Sequence, residues 1–234
     1  MSKINFIHHF KVGVLHGSRS LVNQTCGGTL ISNKYVVTSV YLCAEREDAS
    51  KTFTVIGDTI LGTEYEAFSL IVGVIEIIRH ENYESPSQAN IALIKLEETV
   101  PLTEYSSIKP ACLPMQGASF TGFEATATGW GSVSSSISRR KYQSWLHEIT
   151  VTVLDNCEDL GSTQICGETD APCTGDQGGP LVVNDPQNNN GLTLIGIIDF
   201  NLGCNDPATF TKVSLYSDWI LEKTADSSTC LPKI

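Results

Sequence analysis

The sequence predicts an all-β protein, and three observations predict it. Short runs rich in Val, Ile, Thr and aromatic residues recur along the whole chain. Gly, Asn, Asp, Pro and Ser separate them as turn signals. Only one segment, near the C-terminus, carries the 3.6-residue period of an amphipathic helix. Many short strands at this spacing build either a sandwich or barrels, and periodicity alone leaves both open.

In chain order the runs are "FKVGVLHG", "TLISNKYVVTSV", "TFTVIGD", "LIVGVIEIIRH", "NIALIKLE", "FEATATGWG", "HEITVTVL", "PLVVN", "LTLIGIIDF" and "ATFTKVSL". Each is short, bounded by turn residues and rich in strand formers, which fit a pleated, half-buried surface. "SLYSDWILEKT" reads as the helix, with Leu215, Trp219, Ile220 and Leu221 toward one face. "SVSSSISRR" (132–140) and "NDPQNNNG" are polar and read as surface loops, and "EREDASK" as a solvated charge run. No internal repeat or linker interrupts the chain.

The 234 residues are enough to bury roughly 70% of the surface of the unfolded chain. Hydrophobic residues make up 41% and charged residues 18%, and no apolar run approaches the length of a membrane span. The formal net charge of −11 opposes nucleic acid and anionic membrane as partners, because phosphate recognition needs a basic surface. The eight cysteines are scattered, without CxxC pairs or interleaved histidines, so they read as disulfides rather than metal ligands. That places the chain in an oxidising compartment, secreted, although "MSKINFIHHF" contains no apolar signal core. No metal and no cofactor is expected.

The segments "CGGTLISNKYVVTSVYLC", "NIALIKLE", "ACLP", "ATGWG", "CTGDQGGPLVV" and "TFTKVSLYSDWI" occur in an order and spacing that resembles the trypsin and chymotrypsin family of serine proteases. The resemblance covers nearly the whole chain. It implies two packed six-stranded antiparallel β-barrels with a C-terminal helix, one peptidase-like unit over residues 1–234. The N-terminal barrel would span about 1–108 and the C-terminal barrel about 109–234, with the cleft between them.

The family's chemistry needs a Ser nucleophile, a His that takes and returns its proton, and an Asp that orients the His. The His precedes the second cysteine of a Thr-Ala-Ala-His-Cys turn. Here the turn runs Thr38, Ser39, Val40, Tyr41, Leu42, Cys43, one residue longer. Counting from Thr38 puts Tyr41 in the His place, and counting back from Cys43 puts Leu42 there. Neither side chain shuttles protons near neutral pH. The family's Asp-Ile-Ala-Leu begins here with Asn90, and Gln177 stands at the Ser of Gly-Asp-Ser-Gly-Gly-Pro. In the catalytic members the Asp-to-Asn change alone costs about 10⁴ in turnover. None of the five histidines, His8, His9, His16, His80 and His147, falls in a matched active-site segment.

Several further positions follow from the resemblance. Asp199, Phe200 and Asn201 replace the Ser-Trp-Gly of the substrate-pocket wall, and Asn201 and Ala208, each in a glycine's place, narrow the pocket. Asp170, displaced by an extra residue before Cys173, is a doubtful heir to the specificity Asp. Gly175 and Asp176 belong to the former oxyanion and activation region. Family enzymes are switched on when a newly cut Ile or Val amine pairs with the Asp before the nucleophile. Asp176 is retained, but no Ile-Val-Gly-Gly precedes the first strand, so either the sequence is truncated at its N-terminus or Asp176 has another partner. The implied disulfides are Cys26–Cys43, Cys157–Cys166 and Cys173–Cys204. Cys112–Cys230, which would close the chain on itself, stands against pairing of Cys112 with an external segment. Asn23 heads a single glycosylation sequon.

Taken together, these features lead to a catalytically inactive serine protease homologue that acts by binding unidentified protein partners, as a monomer. It would serve as cofactor, decoy or regulator of a proteolytic, immune or haemostatic pathway. The alternatives are a secreted storage or structural protein, and a protease with relocated catalytic residues.

Overall fold

A computed structural model describes residues 10–16, 24–45, 48–60, 69–105, 107–131, 145–154, 162–168, 176–185, 191–199 and 208–231. Twelve strands form two closed barrels. The first contains β1 (Lys11–His16), β2 (Gln24–Leu30), β3 (Tyr35–Thr38), β4 (Thr52–Ile56), β5 (Leu70–Arg79) and β6 (Ala92–Leu96), in the order β1-β2-β3-β6-β5-β4. The second contains β7 (Glu124–Gly129), β8 (His147–Val153), β9 (Gln164–Glu168), β10 (Pro180–Asn184), β11 (Leu192–Ile198) and β12 (Ala208–Lys212), in the order β10-β11-β12-β9-β8-β7. All strand pairs are antiparallel. Closure leaves neither sheet with a free edge.

The architecture is the one the resemblance implies, with adjustments. "TLISNKYVVTSV" is two strands, not one. The Ser32 hydroxyl accepts from the backbone N–H groups of Lys34 and Tyr35, which fixes the reversal between β2 and β3. β9 was not among the expected runs, because "QICGE" has only two apolar residues to signal it. The last strand stops at Lys212, and Val213–Leu215 form a 3-10 turn. The helix α1 therefore covers only Ser217–Lys223.

The larger apolar cluster is not confined to one barrel. It runs from Val12, Leu30, Val36 and Ile94 of the first barrel to Val182, Leu194 and Ile197 of the second, and takes in Val213 and Ile220 of the C-terminal segment. A smaller cluster of Ala125, Val151, Leu181, Ile195, Ala208 and Phe210 fills the second barrel. Residues 111–113 link the two units through the backbone. Ala111 N–H donates to Leu30 O, Cys112 N–H to Leu192 O, and Leu113 N–H to Cys230 O. The Cys112–Cys230 disulfide ties the tail to this segment, where Tyr35 Oη and Lys95 Nζ also bind the Asp226 carboxylate, at 2.8 and 3.1 Å.

Candidate active site

The site lies where loops of both barrels converge. From the first barrel comes the turn after β3, pinned by the Cys26–Cys43 disulfide. Leu42 there has φ +63° and is 47% exposed. A left-handed conformation is unusual for a branched apolar residue. It marks where the longer turn takes up its extra residue, turning the side chain out to solvent. Tyr41 is held differently: its backbone N–H donates to Asn90 Oδ1 at 2.8 Å.

Asn90 is buried just before β6, and its other face looks into the second barrel. Its Nδ2 donates to Asp199 Oδ1 at 3.0 Å. Asp199, at the end of β11, is 3% exposed. It also accepts from Thr211 Oγ1 at 2.7 Å and Gln164 Nε2 at 2.8 Å, so β11, β12, β9 and the first barrel meet on one carboxylate. Burial pushes the Asp199 carboxyl up to about 6, against the downward pull of Gln164, Thr211 and Asn90. The sequence marks Asp199 as part of a pocket wall. The structure places its carboxylate on Asn90 instead, a contact between residues 109 apart in the chain.

Gln177 follows Asp176 in a tight turn closed by Gly179 N–H donating to Asp176 O at 2.9 Å. Gly178 has φ +77°, and a Cβ there would meet the Gly27 carbonyl oxygen at 2.5 Å, so only glycine fits. Gln177 O accepts from Gly27 N–H at 2.7 Å, which fastens the turn to β2. Gln177 is 3% exposed, so its carboxamide is enclosed by protein.

Asp176 is buried, and its Oδ1 accepts from Gly131 N–H at 2.7 Å. A buried cation lies nearby. Lys11 of β1 is fully buried, its Nζ donates to Thr128 O at 2.8 Å, and it sits 5.4 Å from the centre of the Trp130 ring. Sequence reasoning missed this lysine because it sits within "FKVGVLHG", a run read only as a strand. The available signal was a charged residue in a strand otherwise buried throughout.

Two of the described histidines are engaged elsewhere. His16 Nδ1 and Thr52 Oγ1 share a hydrogen bond of 3.2 Å, and His80 meets Tyr216 edge-on and Trp219 at a tilt. Ala208 is fully buried in the smaller apolar cluster. Cys166 is disulfide-bonded, while its expected partner Cys157, the pair Cys173–Cys204, and Asp170, Gly175, Phe200, Asn201 and Asn23 lie outside the described residues. Among the described residues no group of three or more His, Cys, Asp or Glu could hold a metal ion, and no helix is long and apolar enough to cross a membrane.

The family model named Trypsin matches residues 6–220. The chain belongs to the trypsin family. It is 36% identical over 217 residues to chymotrypsin-C of Bos taurus, covering 86% of this chain and 78% of that protein. It is 33% identical over 218 residues to human transmembrane protease serine 11B, covering 85% of this chain. With coagulation factor XI of Bos taurus the identity is 32% over 228 residues, covering 90% of this chain. The chain spans about half of the second relative, 49%, and about a third of the third, 35%.

Proposed function

We propose that this chain is a non-catalytic member of the trypsin family, secreted, whose work is to bind protein partners as cofactor, decoy or regulator of a proteolytic, immune or haemostatic pathway. The observation that carries this reading is Gln177. A carboxamide has no nucleophilic oxygen or sulfur to activate, and this one is enclosed at the position where acyl transfer would start. The rest of the site supports it. Tyr41 and Asn90 meet through a backbone N–H rather than a proton-carrying ring. The Asp199 carboxylate in contact with Asn90 already accepts from Asn90, Gln164 and Thr211. Secretion is supported by the disulfides, and binding by a scaffold that displays variable loops from two rigid barrels.

The reading is tested by incubating the purified protein with a broad peptide library and, separately, by capturing partners from its source fluid on the immobilised chain. No cleavage, with saturable capture of a discrete partner, is the expected result. Library turnover would overturn the first half, and capture of nothing that saturates would favour a storage or structural protein.

A further inference from the structure

We propose that the Lys11 ammonium is an internal cation that holds the Asp176–Gly179 turn in place, so that this turn is ordered without a charge delivered by a cleaved N-terminus. The proposal rests on the reading above only for the premise that the turn is a scaffold rather than a catalyst.

A lysine buried in an apolar strand is costly unless its charge is compensated and its protons are bonded. From Lys11 to Leu15 the strand β1 is buried, and Lys11 is 0% exposed. Its Nζ lies between the two barrels. A Cβ added to Gly27 of β2 would come within 2.6 Å of it, and one added to Gly179 within 2.5 Å. The ammonium thus fills the space that side chains at these two glycines would take, directly beside the last residue of the turn.

The segment Thr128–Gly131 connects this cation to the turn's carboxylate. Thr128 O receives the Lys11 proton, and Gly131 N–H donates to Asp176 Oδ1. Gly129 and Gly131 leave room for the Asp176 side chain, and a Cβ on Gly131 would meet Asp176 Oδ2 at 2.5 Å. Burial lowers the Lys11 amine to about 8, and the charge of Asp176 opposes that fall, so Lys11 is still protonated at neutral pH. The field of Asp176 reaches Lys11 whatever else Asp176 bonds. The turn is then fixed from three sides: Gly27 N–H to Gln177 O, Gly178 N–H to Ile198 O, and the ammonium against Gly179.

Amide hydrogen exchange tests the proposal. In Lys11→Met, which keeps the length and loses the charge, the amides of Gly27, Gly178 and Gly179 should exchange at least tenfold faster than in the parent, normalised to amides of β3 and β6. In the parent, acetylating the N-terminal amine should leave the same three amides within twofold. Unchanged protection in Lys11→Met overturns the proposal, and so does loss of protection on acetylation alone. If Lys11→Met does not fold, the parent decides: raising the pH through about 8, where the Lys11 amine loses its charge, should speed exchange at the three amides beyond the pH dependence of the β3 and β6 amides, and no such excess overturns the proposal. Labelling of the parent by a fluorophosphonate would sink the non-catalytic reading without altering either exchange result.

Discussion

Asn90 Nδ2 donates to Asp199 Oδ1 at 3.0 Å, joining the two barrels through a buried amide–carboxylate bond at the centre of the candidate site. The pair brings one amide and one carboxylate together across the two barrels. Its members depend on each other. Asn90→Asp puts two carboxylates within hydrogen-bond distance at a buried position. Like charges at that distance cannot both ionise at ordinary cost. The single change is expected to destabilise the fold by about 2 kcal/mol or more at pH 7. The double change Asn90→Asp with Asp199→Ser, the residue the family carries there, should recover most of the loss. A urea-unfolding double-mutant cycle measures it, and additive effects would show that the two sites are uncoupled.

The same carboxylate makes stability depend on pH. Asp199 rises from 3.8 to about 6 on folding, chiefly through burial, with Asn90, Gln164 and Thr211 pulling it down. Among the described residues, Tyr216 is a titratable side chain that feels the Asp199 charge. Between those two values the folded state holds the proton more tightly than the unfolded state. The contribution of Asp199 to stability is therefore full below about pH 4 and falls as pH rises through 6, by about 3 kcal/mol. Other carboxyl groups such as Glu81, held low by Lys223, act in the opposite sense. The readout is consequently the difference between the parent and Asp199→Asn. That difference should shift with pH across this window, and a constant offset would refute the assignment.

The fold was largely legible because alternation and turn residues are local signals. β1, β4, β6 and β8 each stand out within a few residues, whereas the sequence leaves Cys112 open between Cys230 and an external segment, and the structure shows the bond to Cys230. β9 was not legible, since Ile165 and Cys166 give too little pattern over five residues. At the site, short motifs single out Tyr41, Leu42, Asn90 and Gln177, and the structure brings two of them, Tyr41 and Asn90, into hydrogen-bond contact. Two of its electrostatic features were not legible. Lys11 reads as an ordinary strand residue until the second barrel buries its ammonium against Thr128, 117 residues away. Asp199 reads as a pocket wall until Asn90 is folded onto it. Both are long-range burial effects, which a linear pattern does not encode.

Removing the tail bridge should weaken the fold without altering the barrels. Cys112–Cys230 closes a loop of 118 residues, and long loops restrain the unfolded chain most. The double change to Ser is expected to cost about 2–4 kcal/mol in urea unfolding. Hydrogen bonds from Lys34 to Asp226 O and from Tyr35 to its carboxylate should keep the tail docked, as chemical shifts around Asp226 would report.

Restoring only the three reactive groups should not restore catalysis. In Tyr41→His, Asn90→Asp, Gln177→Ser, the imidazole would stand on a turn one residue too long, beside the left-handed Leu42. A displacement on the order of an ångström costs roughly 10²-fold. The new serine would occupy a site now 3% exposed, and the new aspartate would confront Asp199. The expected outcome is peptide cleavage indistinguishable from the parent. Turnover titrated by a fluorophosphonate would mean that the triad was the only lesion.

The central claim is that the native site performs no acyl transfer. Its most direct test is labelling of the unmodified protein with a fluorophosphonate probe at saturating concentration, followed by intact-mass analysis beside a catalytically competent trypsin-family enzyme. The account predicts stoichiometric labelling of the control and no adduct on this chain. A stoichiometric adduct that heat denaturation abolishes would contradict it, because such a product requires an activated nucleophile that neither Gln177 nor its neighbours provide.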